Sequence, residues 1–352
     1  MRQQGSGRAL GLVLGVLVDK GVPDPRRGHP VALFGQAAAW VEQRMWADTR
    51  ARGVAYAAMN VGAATALGLA LGRAVRPPSP RAVVAVTAAC TWAVVGQASL
   101  VREAERMRVV LETGDVPAAR QRLPHLCGRD PSSLDEKELT RATVESVAEN
   151  AADALVAPML WGAAFGPAGL LGYRAVNTLD AMVGHRGPRY RRFGWAAARL
   201  DDAANWLPAR VTALLAVGAA PLVNGSVREA WRVLRRDGAR HPSPNAGRCE
   251  AAAAGALGVR LGGPNHYPYG VDRRPELGGG PAAEPADIAR AVRLARVVEV
   301  GSVLLAAALP VLGKRLARVA VSPPNPCLLR GVARIAPGMS ASMAIPRREC
   351  RR

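Results

Sequence analysis

The sequence predicts an all-α, polytopic integral membrane protein, and its composition provides the main indications. Hydrophobic residues make up 49% of the 352 residues, whereas aromatic residues make up only 4%. Several windows of about twenty residues carry no charge, and this is the length that an α-helix needs to cross the hydrocarbon core. Much of the apolar mass is Ala, Leu, Val and Gly, as in membrane helices that pack through small side chains. We therefore expect about 4 to 6 membrane helices connected by helical polar loops.

The N-terminal third contains the clearest predicted spans. Residues 9–22 form an apolar run that is short for a full crossing. Residues 32–52 show the tryptophan and arginine pattern of an interfacial amphipathic helix. Residues 54–75 and 82–101 are long and uncharged over most of their length, and the proline-rich turn between them predicts an antiparallel hairpin.

The later apolar segments are interrupted by glycine or proline. Residues 154–173 carry no charge but contain Gly166-Pro167, so this segment either crosses once or enters the membrane and returns as a re-entrant pair. Residues 211–227 and 297–312 form two further apolar segments. The sequence thus leaves one of the membrane helices open between a full span and a re-entrant segment.

The charge distribution argues against a nucleic-acid-binding protein. The formal net charge is +20, but residues 102–153 carry eight basic and eleven acidic side chains. Basic residues are interleaved with apolar spans, and few aromatic side chains are available to stack on bases. The positive charge instead favours contact with anionic lipid headgroups or with a phosphorylated or carboxylated substrate. Residues 322–352 are basic and proline-broken, so we expect a single domain at 1–321 followed by a flexible tail.

Three carboxylates lie where a polar segment meets an apolar one. Glu145, Glu149 and Asp153 occupy positions i, i+4 and i+8, so a helix would stack them along one face. Stacked acids repel one another unless a cation lies among them. A divalent metal, a basic ligand or nearby arginines would supply that cation. The alternative is a solvated acidic helix face.

Two proline-stiffened loops present histidines. Asp24 and His29 lie in a loop with three prolines, which holds the two side chains near one another. His241 lies in a second such loop, at residues 235–247. The sequence contains neither a phosphate-binding loop nor a dinucleotide-binding fingerprint. Any nucleotide would therefore be held in another way.

Taken together, these segments closely resemble the CobD/CbiB family of cobalamin-biosynthesis membrane proteins, the adenosylcobinamide-phosphate synthases. The resemblance extends over most of residues 9–315. Its motifs occur as five blocks in the same order, at residues 24–31, 145–153, 173–184, 193–210 and 241–247.

The resemblance implies a carbon–nitrogen ligase. The enzyme would join the free propionate carboxylate of an adenosylated cobyric acid to the amine of aminopropanol phosphate, or of free aminopropanol. ATP with Mg²⁺ is the expected driver. Because a carboxylate is a poor acyl donor, the reaction is expected to pass through an acyl phosphate. The expected partners are these corrinoid and amine substrates, membrane lipids and other enzymes of the cobalamin pathway.

The resemblance also implies roles for particular residues. Histidines would act as bases, arginines as clamps for phosphate or propionate, and asparagines as contacts for the amide side chains of the corrin. The expected catalytic residues are His29, Glu145, Glu149, Asp153 and His241. The expected metal ligands are Glu149, Asp153, Asp180, Asp201 and Asp202. The expected substrate-binding residues are Asp24, Asn150, Asn177, Arg199, Asn205, Arg210, Arg240 and Asn245.

A single site requires these blocks to face the same side of the membrane. Simple alternation of spans would separate residues 177–208 from residues 145–153, whereas a re-entrant segment bent at Gly166-Pro167 removes the conflict. The basic segment 186–192 predicts that this side is cytoplasmic. Two alternatives remain open. A transporter would place ionisable groups midway along its spans, and a non-catalytic scaffold of the corrin pathway would tolerate loss of the acids.

Overall fold

Helices dominate the computed structural model, which describes residues 2–22, 25, 28–75, 79–185, 187–267 and 270–321. The predicted all-α class is confirmed, with one small antiparallel sheet added. Residues 1–311 form one compact unit, and residues 312–321 belong to the second unit. In chain order the elements are α1 (Arg2–Gly21), α2 (Pro30–Met45), α3 (Arg50–Ala74), α4 (Pro80–Val94), α5 (Gln97–Glu112), α6 (Val116–Arg122), α7 (Glu136–Ala151), α8 (Ala157–Phe165), α9 (Pro167–Val183), α10 (Trp195–Ala204), α11 (Trp206–Ala219), α12 (Val227–Asp237), α13 (Ala246–Leu257), β1 (Leu261–Tyr267), β2 (Gly270–Leu277) and α14 (Pro285–Val321).

Three helices in the described part of the chain are long and apolar enough to cross a membrane. They are α3 (Arg50–Ala74), α4 together with α5 (Pro80–Glu112), and α11 with the short 3₁₀ turn that follows it (Trp206–Val223). These helices indicate a membrane protein. These three helices are fewer than the predicted number of about 4 to 6 membrane helices. The higher number stays a prediction.

The two clearest predicted spans, α3 and α4, do not pack mainly against each other. Helix α4 packs mainly along α1, and α3 packs mainly along α9, with few contacts between α3 and α4. Glycines explain both pairings because they let backbones approach closely. A Cβ added at Gly11 would lie 2.6 Å from Cβ of Thr87 on α4. A Cβ added at Gly68 would lie 2.6 Å from Cα of Ala168 on α9.

The chain turns back on itself after α7. A π-helical turn at Ala152–Val156 leads from α7 into α8. Helix α8 ends at Phe165 and is followed by Gly166, whose φ of +64° favours glycine, and Pro167 begins α9. Helices α8 and α9 then pack against each other. The predicted bend at Gly166-Pro167 is therefore present, and its depth in a bilayer stays a prediction.

A β-hairpin occupies residues 261–277, a segment rich in glycine and proline. Strand β1 pairs antiparallel with β2, and an irregularity between Leu261 and Gly263 interrupts the register. Gly262 and Gly263 both have positive φ, which glycine adopts without strain. Leu261 and Leu277 are fully buried and tie the base of the hairpin to the core. The strands were missed because their sequences do not alternate between apolar and polar residues.

Helix α13 lies at the centre of the largest hydrophobic core. Nearly all of its residues are buried, and most of them are alanine or glycine. The small side chains let α11 and α12 pack closely against it. The loop that ends at Asn245 is therefore held at the N-terminus of a fixed helix, and this positions the block at residues 241–247.

Gly68→Ala tests the packing of α3 against α9. The added Cβ would collide with the backbone of α9, so we expect the helices to separate at a cost of about 1–3 kcal/mol. The midpoint of thermal unfolding in detergent should fall. Gly72→Ala is the matched control, because nothing lies within 4 Å of a Cβ at that position on the same helix. Equal midpoints for the two variants would contradict this packing.

Candidate functional site

A polar cavity of about 910 Å³ lies between the N-terminus of α2, the α4–α5 junction, the end of α7 and helix α9. Residues 125–126 line it as well, so five separate parts of the chain contribute to one concave surface, which is the usual form of a small-molecule site. The polar side chains that line it include His29, Arg102, Asn150, Asp153, Arg174 and Asn177.

Asn177 joins two carboxylates beside this cavity. Its Nδ2 donates to Oδ2 of Asp153 at 3.2 Å and to Oδ1 of Asp201 at 3.5 Å. Asn205 donates to the other oxygen of Asp201 at 3.0 Å, and the Tyr173 hydroxyl donates to Oδ1 of Asn205 at 2.9 Å. Residues from the blocks at 145–153, 173–184 and 193–210 thus meet in one hydrogen-bonded cluster, as the single-site hypothesis requires.

The cluster concentrates negative charge in a buried setting. Burial raises the pKa of Asp153 well above its usual range, and the charges of Asp201 and Glu149 raise it further. Burial likewise raises the pKa of Asp201 to about 6, although hydrogen bonds from Asn205 and Asn177 oppose the change. Two other acids act on this cluster electrostatically, namely Asp180 and Asp202. A cation placed here would relieve the repulsion among these carboxylates.

The donor set fits a hard divalent cation. Mg²⁺ is commonly bound by one or two carboxylates together with phosphate oxygens and water. Asp153 and Asp201 provide two such carboxylates, joined through the amide of Asn177. Among the described residues, no group of three or more His, Cys, Asp and Glu side chains has the spacing of a complete metal site. Asp153 and Asp201 are therefore the residues that would hold Mg²⁺, with substrate oxygens as the other ligands.

Asn245 brings the last block to the site. Its Nδ2 donates to the backbone oxygen of Asp202 at 2.8 Å, which connects the loop before α13 to α10. The Asp202 carboxylate accepts a hydrogen bond from Arg199 at 3.1 Å, and the Arg199 side chain is mostly exposed. The expected substrate contacts Asn245 and Arg199 thus lie at the edge of the cluster, next to Asp202.

Glu145 anchors the hairpin and is not among the residues that line the cavity. Its side chain is 1% exposed, forms an ion pair with Arg129 and accepts a 2.6 Å hydrogen bond from the Gly262 N–H. Burial opposes ionisation of Glu145, but the charges of Arg129 and Arg141 and the Gly262 N–H outweigh it. The pKa of Glu145 is therefore held below its usual range. These contacts favour a structural role for Glu145. They do not support its expected catalytic role, which stays a prediction.

His241 is also held in a structural network. Its Nδ1 accepts a hydrogen bond from Ser243 N–H at 3.0 Å, and its Nε2 lies 3.0 Å from Nη1 of Arg274. Burial, together with the charge of Arg274, lowers the pKa of His241 to about 4. Arg274 also acts on Glu149, where burial raises the pKa while Arg274 and Arg129 oppose the change. The charge of Arg274 in this network therefore lowers the pKa of Glu149, and the charge of Glu149 in turn raises the pKa of Asp153.

His29 and Asn150 reach the polar cavity, as expected. His29 caps α2, because its Nδ1 accepts a hydrogen bond from the Val31 N–H at 3.3 Å. Asn150 donates to the backbone oxygen of Ser146 one turn earlier, at 2.9 Å. Asp24 lies outside the described residues.

Two of the expected arginine clamps have partners elsewhere. Arg210 donates to the backbone oxygen of Trp206 at 2.6 Å, and its guanidinium lies 4.0 Å from the centre of that indole ring. Arg240 forms an ion pair with the buried Asp237 at 3.2 Å. Neither side chain is among the residues that line the polar cavity.

Sequence reasoning missed several residues that the fold brings to the site. Tyr173 and Arg174 stand inside a motif block but were not selected as site residues. Arg102 and Arg106 lie in a charged helix with no motif, and their spacing of four residues on one helix face was the only available signal.

This chain is similar to known proteins over most of its length. Residues 12–295 match the family model for "CobD/Cbib protein". A "Cobalamin biosynthesis protein CobD" from Mycobacterium tuberculosis (strain ATCC 25618 / H37Rv) is 55% identical over 299 residues, covering 85% of this chain and 95% of the relative. A protein of that name from Geobacter metallireducens is 44% identical over 256 residues, covering 72% and 80%. Another, from Rhodobacter capsulatus, is 40% identical over 302 residues, covering 84% and 94%. No solved structure matches.

Glu145→Gln tests the hairpin anchor. The change keeps the shape but leaves the buried Arg129 without its counter-charge, which we expect to cost about 3–5 kcal/mol and to lower the unfolding midpoint in detergent. Because the folded pKa of Glu145 is lowered, its stabilisation is present above the unfolded pKa and is lost as pH falls through the folded pKa. The midpoints of wild type and variant should therefore converge in acid.

Glu105→Gln serves as the control for this experiment. Glu105 pairs with Arg108 at 2.6 Å on an exposed helix face, and exposed pairs contribute about 0–1 kcal/mol. A loss of stability in Glu145→Gln no larger than that in Glu105→Gln would refute the anchoring role.

Proposed function

The chain belongs to the CobD/CbiB family and functions in cobalamin biosynthesis, and from this premise we propose that it is an amide-forming ligase. The reaction would join the free propionate carboxylate of adenosylated cobyric acid to the amine of aminopropanol phosphate or aminopropanol. The products would be adenosylcobinamide phosphate or adenosylcobinamide. ATP and Mg²⁺ would drive the reaction through an acyl phosphate.

The main support for this proposal is the pair of carboxylates, Asp153 and Asp201, beside a polar cavity. Asp153 both lines the cavity and shares the Asn177 amide with Asp201. The volume of about 910 Å³ suits a small amine and the arm of a larger substrate. The corrin ring with its many amide side chains would stay at the mouth, and only its reacting propionate would enter.

Different residues of the chain would bind the metal, bind anionic groups and accept a proton. Mg²⁺ at Asp153 and Asp201 would neutralise phosphate oxygens. Arginines that line the cavity would hold anionic groups by charge-assisted hydrogen bonds. His29 and His125 both line the cavity. His29 belongs to a motif block, so it is the better candidate to accept the proton from the attacking amine. His241 is engaged by Ser243 and Arg274, which favours a supporting role.

The position of the ionisable cluster supports an enzyme over a transporter. A transporter places such groups near the middle of its membrane helices. Asp153, Asn177 and Asp201 lie outside all three helices that are long and apolar enough to cross a membrane. Their side chains instead join segments that lie between those helices in the chain.

We place the open side of the site at the cytoplasmic face of the cell membrane. The basic segment 186–192 follows α9 directly, and basic loops are retained on the cytoplasmic side. Arg189 in this segment is about half exposed, so a cysteine there is accessible to a soluble thiol reagent. Labelling of Arg189→Cys only from the outer side would overturn this placement.

Asp201→Asn tests the ligase directly. The change preserves size while removing a charge from the carboxylate pair, and we expect ATP-dependent amide formation in membranes to fall about 100-fold or more, since metal coordination contributes several kcal/mol. Product is measured by mass spectrometry. Glu229→Gln is the control, because Glu229 pairs with Arg232 at 2.7 Å on an exposed surface of α12. Unchanged turnover in a folded Asp201→Asn protein would reject this site.

A further inference from the structure

Exposed arginines and tryptophans lie together where α3, a helix long and apolar enough to cross a membrane, begins. Helix α2 ends at Met45, and a short turn leads to Arg50 at the start of α3. The segment 189–195, which follows α9, packs beside this turn. The exposed arginines of this region are Arg44, Arg50, Arg52, Arg189, Arg191 and Arg192, and its exposed tryptophans are Trp40, Trp46 and Trp195. We refer to these residues as the Arg–Trp surface.

Contacts between the two chain segments hold the Arg–Trp surface together. The indole N–H of Trp46 donates to the backbone oxygen of Arg189 at 3.3 Å. The guanidinium of Arg189 in turn lies 4.6 Å from the centre of the Trp46 ring. Similarly, the guanidinium of Arg50 lies 5.1 Å from the centre of the Trp195 ring. The turn between α2 and α3 and the segment 189–195 therefore form one continuous surface.

Acids of the chain neutralise only part of the positive charge on this surface. Arg189 pairs with Glu42 at 3.2 Å, and Arg192 pairs with Asp48 at 3.7 Å. Within the described ranges, no ion pair involves the other four arginines, which are Arg44, Arg50, Arg52 and Arg191. A tryptophan ring covers only one face of a guanidinium, so the in-plane N–H groups stay available to an anion. The Arg–Trp surface is therefore complementary to a negatively charged partner.

The exposed apolar side of α3 begins directly after these charges. Val54 and Met59 are 48% and 46% exposed, and Leu67, further along the helix, is 55% exposed. Such large apolar side chains on a membrane-spanning helix face the lipid tails. Tryptophan is enriched at the headgroup level, and arginines near the ends of membrane helices extend their charges to that level. The Arg–Trp surface therefore lies where the phosphate groups of a bilayer meet the protein.

We propose that the Arg–Trp surface binds the headgroups of anionic phospholipids. Arginine suits this task because its planar N–H groups can bond two oxygens of one phosphate. The apolar side of α3 beside the charges favours a lipid over an acidic protein. Bound lipid would link the turn between α2 and α3 to the segment after α9, and it would thereby stabilise the folded protein. The proposal is independent of the reaction that the protein catalyses.

The test uses the full-length protein in detergent micelles that contain either phosphatidylglycerol, which is anionic, or phosphatidylcholine, which is zwitterionic. The first variant removes charges that have no ion pair in the described part of the chain, and it combines Arg50→Gln, Arg52→Gln and Arg191→Gln. The second variant keeps the charges, with Arg50→Lys, Arg52→Lys and Arg191→Lys. The control removes the same charge from exposed side chains of α7 and the β-hairpin region, with Lys137→Gln, Arg260→Gln and Arg273→Gln.

Phosphatidylglycerol should raise the unfolding midpoint of the wild-type and control proteins, whereas phosphatidylcholine should not. For the glutamine variant we expect the half-maximal rise to require about 10-fold more phosphatidylglycerol or more. The reason is that each basic side chain near an anionic surface strengthens binding about fivefold. The lysine variant should recover part of the loss. Added salt should reduce the rise in the wild-type protein, because exposed charges are screened.

An equal rise with phosphatidylglycerol in the glutamine variant and in the wild-type protein would overturn the proposal. An equal rise with phosphatidylcholine and phosphatidylglycerol would also overturn it. A rise with inorganic phosphate or with polyglutamate, but not with phosphatidylglycerol, would assign the surface to a soluble anion or to an acidic protein instead.

Native mass spectrometry of the wild-type protein keeps the proposal testable even if the glutamine variant does not fold. The protein is released from micelles that contain equal amounts of the two lipids, and the lipid molecules that stay bound are identified. We expect preferential retention of phosphatidylglycerol, and equal retention of both lipids would contradict the proposal.

Discussion

The hydrogen bonds of Asn177 hold together two carboxylates that lie 24 residues before and 24 residues after it. In a continuous helix, 24 residues would place Asp153 about 36 Å from Asn177, at 1.5 Å per residue. The two side chains are instead 3.2 Å apart, because the chain reverses at Gly166 and α9 packs back on α8. The contacts of Asp153 with Asn177 and Tyr173 on α9 depend on this reversal.

The three acids that the sequence stacks on one helix face have different environments. Glu145 is buried against Arg129 and holds the hairpin. Asp153 lies beyond the end of α7, in the π-helical turn, and reaches the polar cavity. Glu149 lies between them and interacts electrostatically with both groups. The motif therefore combines an anchor and a site residue within nine positions.

Much of the site could be predicted from the sequence because its residues occur in motif blocks with a chemical reason for each polar group. Asp153, Asn177, Asp201 and Asn205 were all selected in this way, and the Gly166-Pro167 pair indicated the bend. Arg102 could not be selected, because only the tertiary packing of α5 brings it to the wall of the cavity.

Some errors came from local signals that tertiary packing overrides. The short connection between α3 and α4 favoured a hairpin, but close approach at Gly68 makes α9 the main partner of α3. The strands of the β-hairpin do not alternate between apolar and polar residues, so hydrophobic periodicity does not indicate them. In contrast, the ion pair of Arg240 could have been predicted from the sequence, because Asp237 lies three residues before it.

An assay of the purified chain alone tests the proposed ligase activity most directly. Adenosylated cobyric acid, aminopropanol phosphate, ATP and Mg²⁺ are mixed with the protein in detergent, and the corrinoid product and released phosphate are quantified together. We expect an amide product that forms only with both ATP and Mg²⁺, in proportion to the nucleotide consumed. Product formed at the same rate without nucleotide, or no product from a folded preparation, would contradict it.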